Sequence, residues 1–410
     1  MKGAPRELAR TTYWLRTVLE GFLPVERTAH SRLLDIGSAD GHIAHFWVDK
    51  GGLATYCHYE LDACRQVAAL YGIPLRRHQN EGLPEDGSWL RGVGETGLEV
   101  AFTDLAPAGP YTLATFDTRA YEATYALEMV GHIAAGLEHS GWLLSVIDEK
   151  ISTSSWQDRL NAWFEEVEVI TSLSPRARGL SFFLARRPLQ DQKPSVEYYS
   201  WQATFKNQTY DFRGAPGVFS PKALDSGTAF MLDVMDISPQ ERCLDLGCGT
   251  GAVAVVLSQE ARVPMVAVDN NARALRLATE NCQNNRADSV KIYPSDGFTD
   301  IESTEMFDVI ACNPPYHTDF SVARRFIEGS FLRLREGGRL YLVVKRTDWY
   351  ARKLKSLFGG CRRFTNDDGY TVFVAERQSV PKRPKVPSVG TRKHQKRLEK
   401  TSRRKRGRQR

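Results

Sequence analysis

The segment Asp308-Val-Ile-Ala-Cys-Asn-Pro-Pro-Tyr-His317 ends an apolar run with residues able to hold a planar amino group. The Asn313 side chain and the Pro314 carbonyl offer oxygens to the two N–H bonds of such a group. Tyr316 can cover its plane, a contact worth ~1–3 kcal/mol when the group belongs to a base. Pro314 and Pro315 stiffen the turn and remove N–H groups that would compete for the same acceptors. An exocyclic amine is a poor nucleophile because its lone pair is delocalised. Accepting both of its protons pulls the nitrogen towards sp³ and aims it. His317 is either a substrate contact or a surface residue. Cys312 is expected to face the sheet without a base beside it, which argues against a covalent thiolate mechanism.

A second constellation precedes this one. Leu244-Asp-Leu-Gly-Cys-Gly-Thr-Gly251 reads as a strand end, a glycine turn and the start of the apolar helix 252–257. Gly247, Gly249 and Gly251 let the backbone turn sharply and approach a ligand. Their G-x-G-x-G spacing differs from the dinucleotide fingerprint G-x-G-x-x-G. Asp269 ends the next strand, where a carboxylate can take two ribose hydroxyls. Asp296, in Tyr293-Pro-Ser-Asp-Gly297, is placed to reach an adenine amine, and Asp245 to orient a methionyl ammonium. Three acids at successive strand ends are more than an ordinary glycine-rich turn requires. Together the two constellations imply an S-adenosylmethionine-type donor facing an amine acceptor, hence N-methyl transfer governed by positioning. No metal ligand set is evident.

The elements that must carry these residues occur twice. Leu33-Leu-Asp-Ile-Gly-Ser-Ala-Asp-Gly-His-Ile-Ala44 parallels Cys243-Leu-Asp-Leu-Gly-Cys-Gly-Thr-Gly-Ala-Val-Ala254, and Tyr59-Glu60 is taken to parallel Val268-Asp269. His139–Ile147 parallels Glu336–Val344, and Leu180–Ala185 parallels Tyr370–Ala375. Strands alternating with helical patterns predict an α/β fold of two doubly wound, Rossmann-like domains in tandem. The expected division is a first domain over 1–188, a linker over 189–200, a second domain over 201–379 and a tail over 380–410. A hairpin turning at Asn207 is expected within 201–213. A helix containing Leu224, Phe230 and Leu232 should then pack over the second site.

The first copy lacks the acceptor residues. Aligned on Gly141 and Gly338, their place falls near Phe116-Asp-Thr-Arg119; Thr103-Asp-Leu-Ala-Pro107 has neither the asparagine nor the ring. Ala39 crowds the position of the middle glycine, although Asp35, Gly37, Gly41 and Glu60 leave room for residual ligand binding. A scaffold that shapes an RNA-docking surface is the expected role, with Arg76-Arg-His78 and Arg176-Ala-Arg-Gly-Leu180 as basic contacts or solvated loops.

Bulk properties bound the partners. Residues 381–410 carry 14 Lys/Arg and one acid, so the remainder has 41 basic against 48 acidic residues despite an overall charge of +6. Such a tail cannot bury apolar surface and is expected to be disordered. Its expected partner is a polyphosphate, through counterion release. Seven scattered cysteines without a C-x-x-C pair fit reduced thiols in the cytoplasm. No apolar run of ~18 residues suggests a membrane span.

From Gly214 to about Arg377 the sequence resembles the RsmC/RlmG-type ribosomal-RNA guanine-N2 methyltransferases. The resemblance is carried by Pro216-Gly-Val-Phe-Ser220, Leu224-Asp-Ser-Gly227, the glycine turn and Asn313-Pro-Pro-Tyr-His317, with Tyr316 standing where the family commonly has Phe. It implies class I, S-adenosylmethionine-dependent chemistry, two tandem methyltransferase-like domains with the first degenerate, and ribosomal RNA or a ribosomal subunit as partner. Substrate contacts from Pro315, Tyr316, His317 and Phe219 follow from it. Asn-Pro-Pro-Tyr is shared with adenine-N6 and glutamine-N5 methyltransferases, so those reactions, and a non-catalytic RNA-binding assembly factor, are the competing readings.

Overall fold

The computed structural model describes residues 6–22, 31–77, 88–148, 150–170, 177, 179–315, 320–345 and 347–378. The expectations placed on His78, Arg176, Arg178, Tyr316, His317 and the tail over 380–410 lie outside them.

Among the described residues, the first half has strands β1 (Arg32–Ile36), β2 (Leu53–His58), β3 (Arg76–Arg77), β4 (Ser88–Val93), β5 (Leu98–Thr103), β6 (Tyr111–Asp117), β7 (Leu137–Ile147), β8 (Phe164–Ile170) and β9 (Ser181–Pro188). They form one sheet in the order β3-β4-β5-β2-β1-β6-β7-β9-β8. Helices α1 (Arg6–Phe22), α2 (His42–Asp49), α3 (Leu61–Leu70), α4 (Ala123–Gly136) and α5 (Thr153–Asn161) accompany it. A hairpin, β10 (Tyr199–Phe205) with β11 (Gln208–Gly214), follows. Its two-residue turn places both Lys206 and Asn207 at positive φ, the conformation that matches strand twist in tight hairpins.

The second half comprises α6 (Ser226–Val234), β12 (Cys243–Leu246), α7 (Ala252–Ser258), β13 (Met265–Asp269), α8 (Ala272–Asn284), β14 (Val290–Pro294), β15 (Phe307–Cys312), α9 (Ser321–Arg333), β16 (Leu334–Val344), α10 (Asp348–Phe358), β17 (Arg362–Thr365) and β18 (Thr371–Glu376). Its sheet runs β14-β13-β12-β15-β16-β18-β17, parallel through β16 and antiparallel beyond. Seven strands of the first sheet repeat this order, and β3 and β4 extend its edge. Leu33, Leu34 and Ile36 in β1 are fully buried, as are Leu244 and Leu246 in β12, because helices cover both faces of a parallel sheet. Leu224 precedes α6 and is not part of it. Met231 and Leu232 pack α6 into the cluster holding Val343, Val372 and Tyr370, on the face expected.

The two halves meet about a local pseudo-twofold axis, as identical subunits do in an isologous dimer. The N–H of Leu61 donates to the Asn270 carbonyl at 2.8 Å, and the N–H of Ala272 donates to the Tyr59 carbonyl at 2.8 Å. Glu60 and Asn271 form an isolated bridge at the centre. Registers count the same way: Asp35 pairs with Tyr56 and Asp245 with Ala267. The counterpart of Asp269 is therefore His58, not Glu60, and Glu60 corresponds to Asn271. On β6, Thr115 pairs with Asp35 where Ala311 pairs with Asp245, so Asp117 stands in the place of Asn313. The acceptor segment thus corresponds to 117–120, one residue beyond the expected alignment.

Candidate active site

One cavity of about 440 Å³ opens at the carboxyl ends of β12, β13 and β15, within the ~300–1,000 Å³ typical of small-molecule sites. Of the residues singled out by sequence, Phe219, Asp245, Gly247, Gly249, Asp269, Asp296, Asn313, Pro314 and Pro315 line it. Gly251 sits behind the lining, capping α7 at φ +80°, where an added Cβ would meet the Ala278 Cα at 3.0 Å. That glycine lets α7 and α8 approach. Gly249, at φ +53°, has open space where a Cβ would project, a cradle suited to a ligand against the backbone.

The acids are held by backbone. Asp269 accepts from the Gly249 N–H through Oδ2 and from the Asn271 N–H through Oδ1, both at 2.9 Å. Asp245 accepts from the Ala254 N–H at 3.1 Å. Burial pushes its carboxyl up to about 7, and the nearby Asp269 adds to this. Asp296 receives the Arg325 guanidinium in a fork, at 2.5 and 3.0 Å. The Phe326 ring lies beneath the Gly247 and Gly297 turns. Asn281, fully buried, ties the glycine turn to the hairpin by donating to the Thr250 and Arg213 carbonyls, each at 2.9 Å.

Asn313 is oriented by residues the sequence reading passed over. Its Nδ2 donates to Asp225 Oδ2 at 3.0 Å and to Thr228 Oγ1 at 2.9 Å. Both amide N–H bonds are committed there, which fixes the orientation of the carboxamide. Asp225 also caps α6 by accepting from the Thr228 N–H at 2.9 Å. The motif Leu224-Asp-Ser-Gly227 thereby acquires a physical meaning. Its aspartate aims Asn313, and its glycine is required because a Cβ would lie 2.6 Å from the Tyr370 ring. Cys312 is 1% exposed and its thiol is pushed well above its usual range by burial, which leaves no thiolate for nucleophilic attack.

The corresponding corner of the first half is filled by its own side chains. Asp35 accepts from Ser38 Oγ at 2.6 Å, Thr115 Oγ1 at 3.0 Å and the Ala44 N–H at 2.9 Å. The Ala39 N–H is taken by Thr12 of α1 at 2.8 Å. The Tyr121 ring and the Asp117 carbonyl wall in Gly37. Asp117 is paired with Arg119 at 3.1 Å where the second half has Asn313. His58, the counterpart of Asp269, is held neutral by burial, with its titration lowered to about 4. These side chains occupy the corner in which residual ligand binding is an expectation from sequence. Of the proposed basic contacts, Arg77 instead stacks over the Tyr293 ring of the second half, 4.7 Å from its centroid.

Residues 209–374 match the family model described as the methyltransferase small domain. The chain is 30% identical over 193 residues to the uncharacterized protein YbxB of Bacillus subtilis, covering 45% of this chain and 96% of that protein. The chain belongs to the methyltransferase small domain family. A second relative, ribosomal RNA small subunit methyltransferase C of Shewanella amazonensis, is 34% identical over 167 residues, 40% of this chain. The match spans about half of that relative, 48% of its length. A structure described as the Thermus thermophilus 16S rRNA N2 G1207 methyltransferase (RsmC) with AdoMet and guanosine superposes with a TM-score of 0.70 at 20% identity, covering 89% of this chain and 92% of that one. The fold shared with that structure therefore extends over both halves. No helix among the described residues is long and apolar enough to cross a membrane, and none of their His, Cys, Asp and Glu side chains cluster to hold a metal.

Proposed function

We propose that the second half is an S-adenosylmethionine-dependent methyltransferase acting on the exocyclic N2 amine of guanine in ribosomal RNA. The observation that carries this reading is the Asn313 carboxamide, its Nδ2 pinned by Asp225 and Thr228, lining the same cavity as Asp245, Asp269 and Asp296. The lining fits the donor: Asp245 suits its ammonium, Asp269 its ribose hydroxyls, Asp296 its adenine amine, and Gly249 leaves the backbone open beneath it. When bound, the donor supplies an electrophilic sulfonium methyl. The chain supplies orientation. Asn313 Oδ1 and the Pro314 carbonyl receive the two N–H bonds of the acceptor, and Tyr316 and Phe219 provide aromatic surface for its ring. Pro315 and His317 are the remaining substrate contacts in this reading. The ribosomal RNA assignment draws on the relatives named ribosomal RNA small subunit methyltransferase C, and the guanine N2 assignment on the structure described as a 16S rRNA N2 G1207 methyltransferase and on the tandem duplication. Mass spectrometry of ribosomal RNA nucleosides from a deletion strain tests it: loss of one N2-methylguanosine is expected, and an unchanged content removes the substrate.

Donor affinity should depend on pH through Asp245. In the free protein this carboxyl protonates as pH falls through about 7, and the neutral acid cannot pair with an ammonium. Binding measured by calorimetry should weaken progressively below that value, by up to about tenfold per pH unit while this group is the one titrating. Asp245→Asn should bind weakly at all pH values, with that dependence gone.

The basic segment over 381–410 supplies recruitment to RNA in this account. Its deletion should weaken RNA binding and flatten the dependence of log K on log salt, because fewer counterions are released. An unchanged slope in a filter-binding titration would assign the segment another purpose.

A further inference from the structure

The corner between β2 and α3 belongs to the degenerate half, yet it reaches the cavity of the other. Glu60 and Asp62 stand among the residues lining that cavity, opposite Asp269, Asn271 and Asp296. The central bridge fixes Glu60 against Asn271. Two residues further on, Asp62 lines the cavity together with Asp296; burial first, and then the charge of Asp296, raises its carboxyl, while Arg325 and Arg65 oppose this. Both cations have other duties. Arg325 holds Asp296 in its fork, and Arg65 donates to Thr299 at 2.8 Å and pairs with Asp300. Two carboxylates facing each other at a cavity wall repel, and each is relieved by a ligand that offers N–H groups to both.

The mirrored corner shows what this position does when no pocket is kept. Counting from the paired Leu61 and Ala272, the counterpart of Asp62 is Arg273, and the registers of β5 and β14 make Asp104 the counterpart of Asp296. Arg273 is 1% exposed, stacks 3.7 Å from the Tyr125 ring centroid, donates to Glu128 at 2.6 Å and lies 3.8 Å from Asp104. A long cation thus plugs the first half and neutralises its acid. The second half receives a short acid in the same place and keeps a cavity.

We propose that Asp62, a residue of the degenerate half, binds the methyl donor in the second half's cavity, where it and Asp296 together receive the adenine amine. One nitrogen carrying two N–H bonds can donate to both carboxylates at once. This rests on the reading of the cavity as the donor site. The first half is thereby a wall of the active site as well as a scaffold.

Calorimetry on the full chain tests this with two probes, S-adenosylhomocysteine and S-inosylhomocysteine, the latter bearing an oxo group in place of the amine. Asp62→Ala should weaken the adenosyl ligand about tenfold or more, the worth of one hydrogen bond to a charged group, and change the inosyl ligand by less than about twofold. Arg77→Ala, which breaks a contact between the halves outside the cavity, should leave both affinities near wild type. Equal losses for the two ligands, no loss, or the same loss in Arg77→Ala would each overturn the assignment. Failure of the wild-type protein to bind either probe would instead refute the donor site itself.

Discussion

Asn313→Ala is expected to reduce methyl transfer by at least about 10²–10³-fold in kcat, the scale seen when one preorganised transition-state hydrogen-bonding partner is removed. The substitution deletes the oxygen that aims the acceptor nitrogen. It leaves Asp225 still capping α6 through the Thr228 N–H, so the surrounding helix keeps its position. The glycine turn and the three acids of the donor subsite are untouched, so donor affinity should stay within about threefold, under 1 kcal/mol. Single-turnover transfer and donor calorimetry on the same variant separate the two effects. Retained turnover would show that the amine is oriented by something else.

Arg273→Ala should be the most destabilising single change at the junction of the halves. The guanidinium is buried between Glu128, Tyr125 and the Pro216 carbonyl, which accepts its third contact at 3.2 Å. Removing it strands Glu128, 6% exposed, as an uncompensated buried charge, a cost of about 3–5 kcal/mol. It also releases the segment carrying Gly217, where the backbone passes so close to Tyr125 that a Cβ would lie 2.2 Å from the ring. Phe219 belongs to that segment, so substrate affinity should fall together with stability. The double variant Arg273→Met/Glu128→Gln removes both charges and should recover much of the loss in a denaturant titration. If the single variant unfolded like wild type, the halves would not depend on this contact.

Sequence made the architecture and one face of the site readable for physical reasons. Buried parallel strands demand unbroken apolar runs, and turns at their ends demand glycine, so Asp245, Asp269 and Asp296 could be located by spacing. The duplication was visible because both copies obey those same demands. Its register was misjudged at two places. Tyr59-Glu60 looks like an acidic strand end, whereas the strand stops at His58 and the acid stands at the N-cap of the next helix. The acceptor position lies one residue from the expected alignment because Asp117 shares no residue type with Asn313 by which the sequence could be registered. Contacts between distant segments carried no local signal: Asp225 with Asn313, Arg276 with Asp104 and Asp62 with Asp296 each join residues from separate parts of the chain. The twofold pattern offered one clue, since a duplicated corner that changes from arginine to aspartate marks where the halves have diverged in purpose.

The central claim concerns a single atom of the acceptor. Purified full-length protein, incubated with ribosomal RNA and methyl-labelled S-adenosylmethionine, should place the label on the exocyclic nitrogen of guanine, recovered as N2-methylguanosine after nuclease digestion. Label recovered as N6-methyladenosine, or no label on RNA while the donor still binds, would contradict the account.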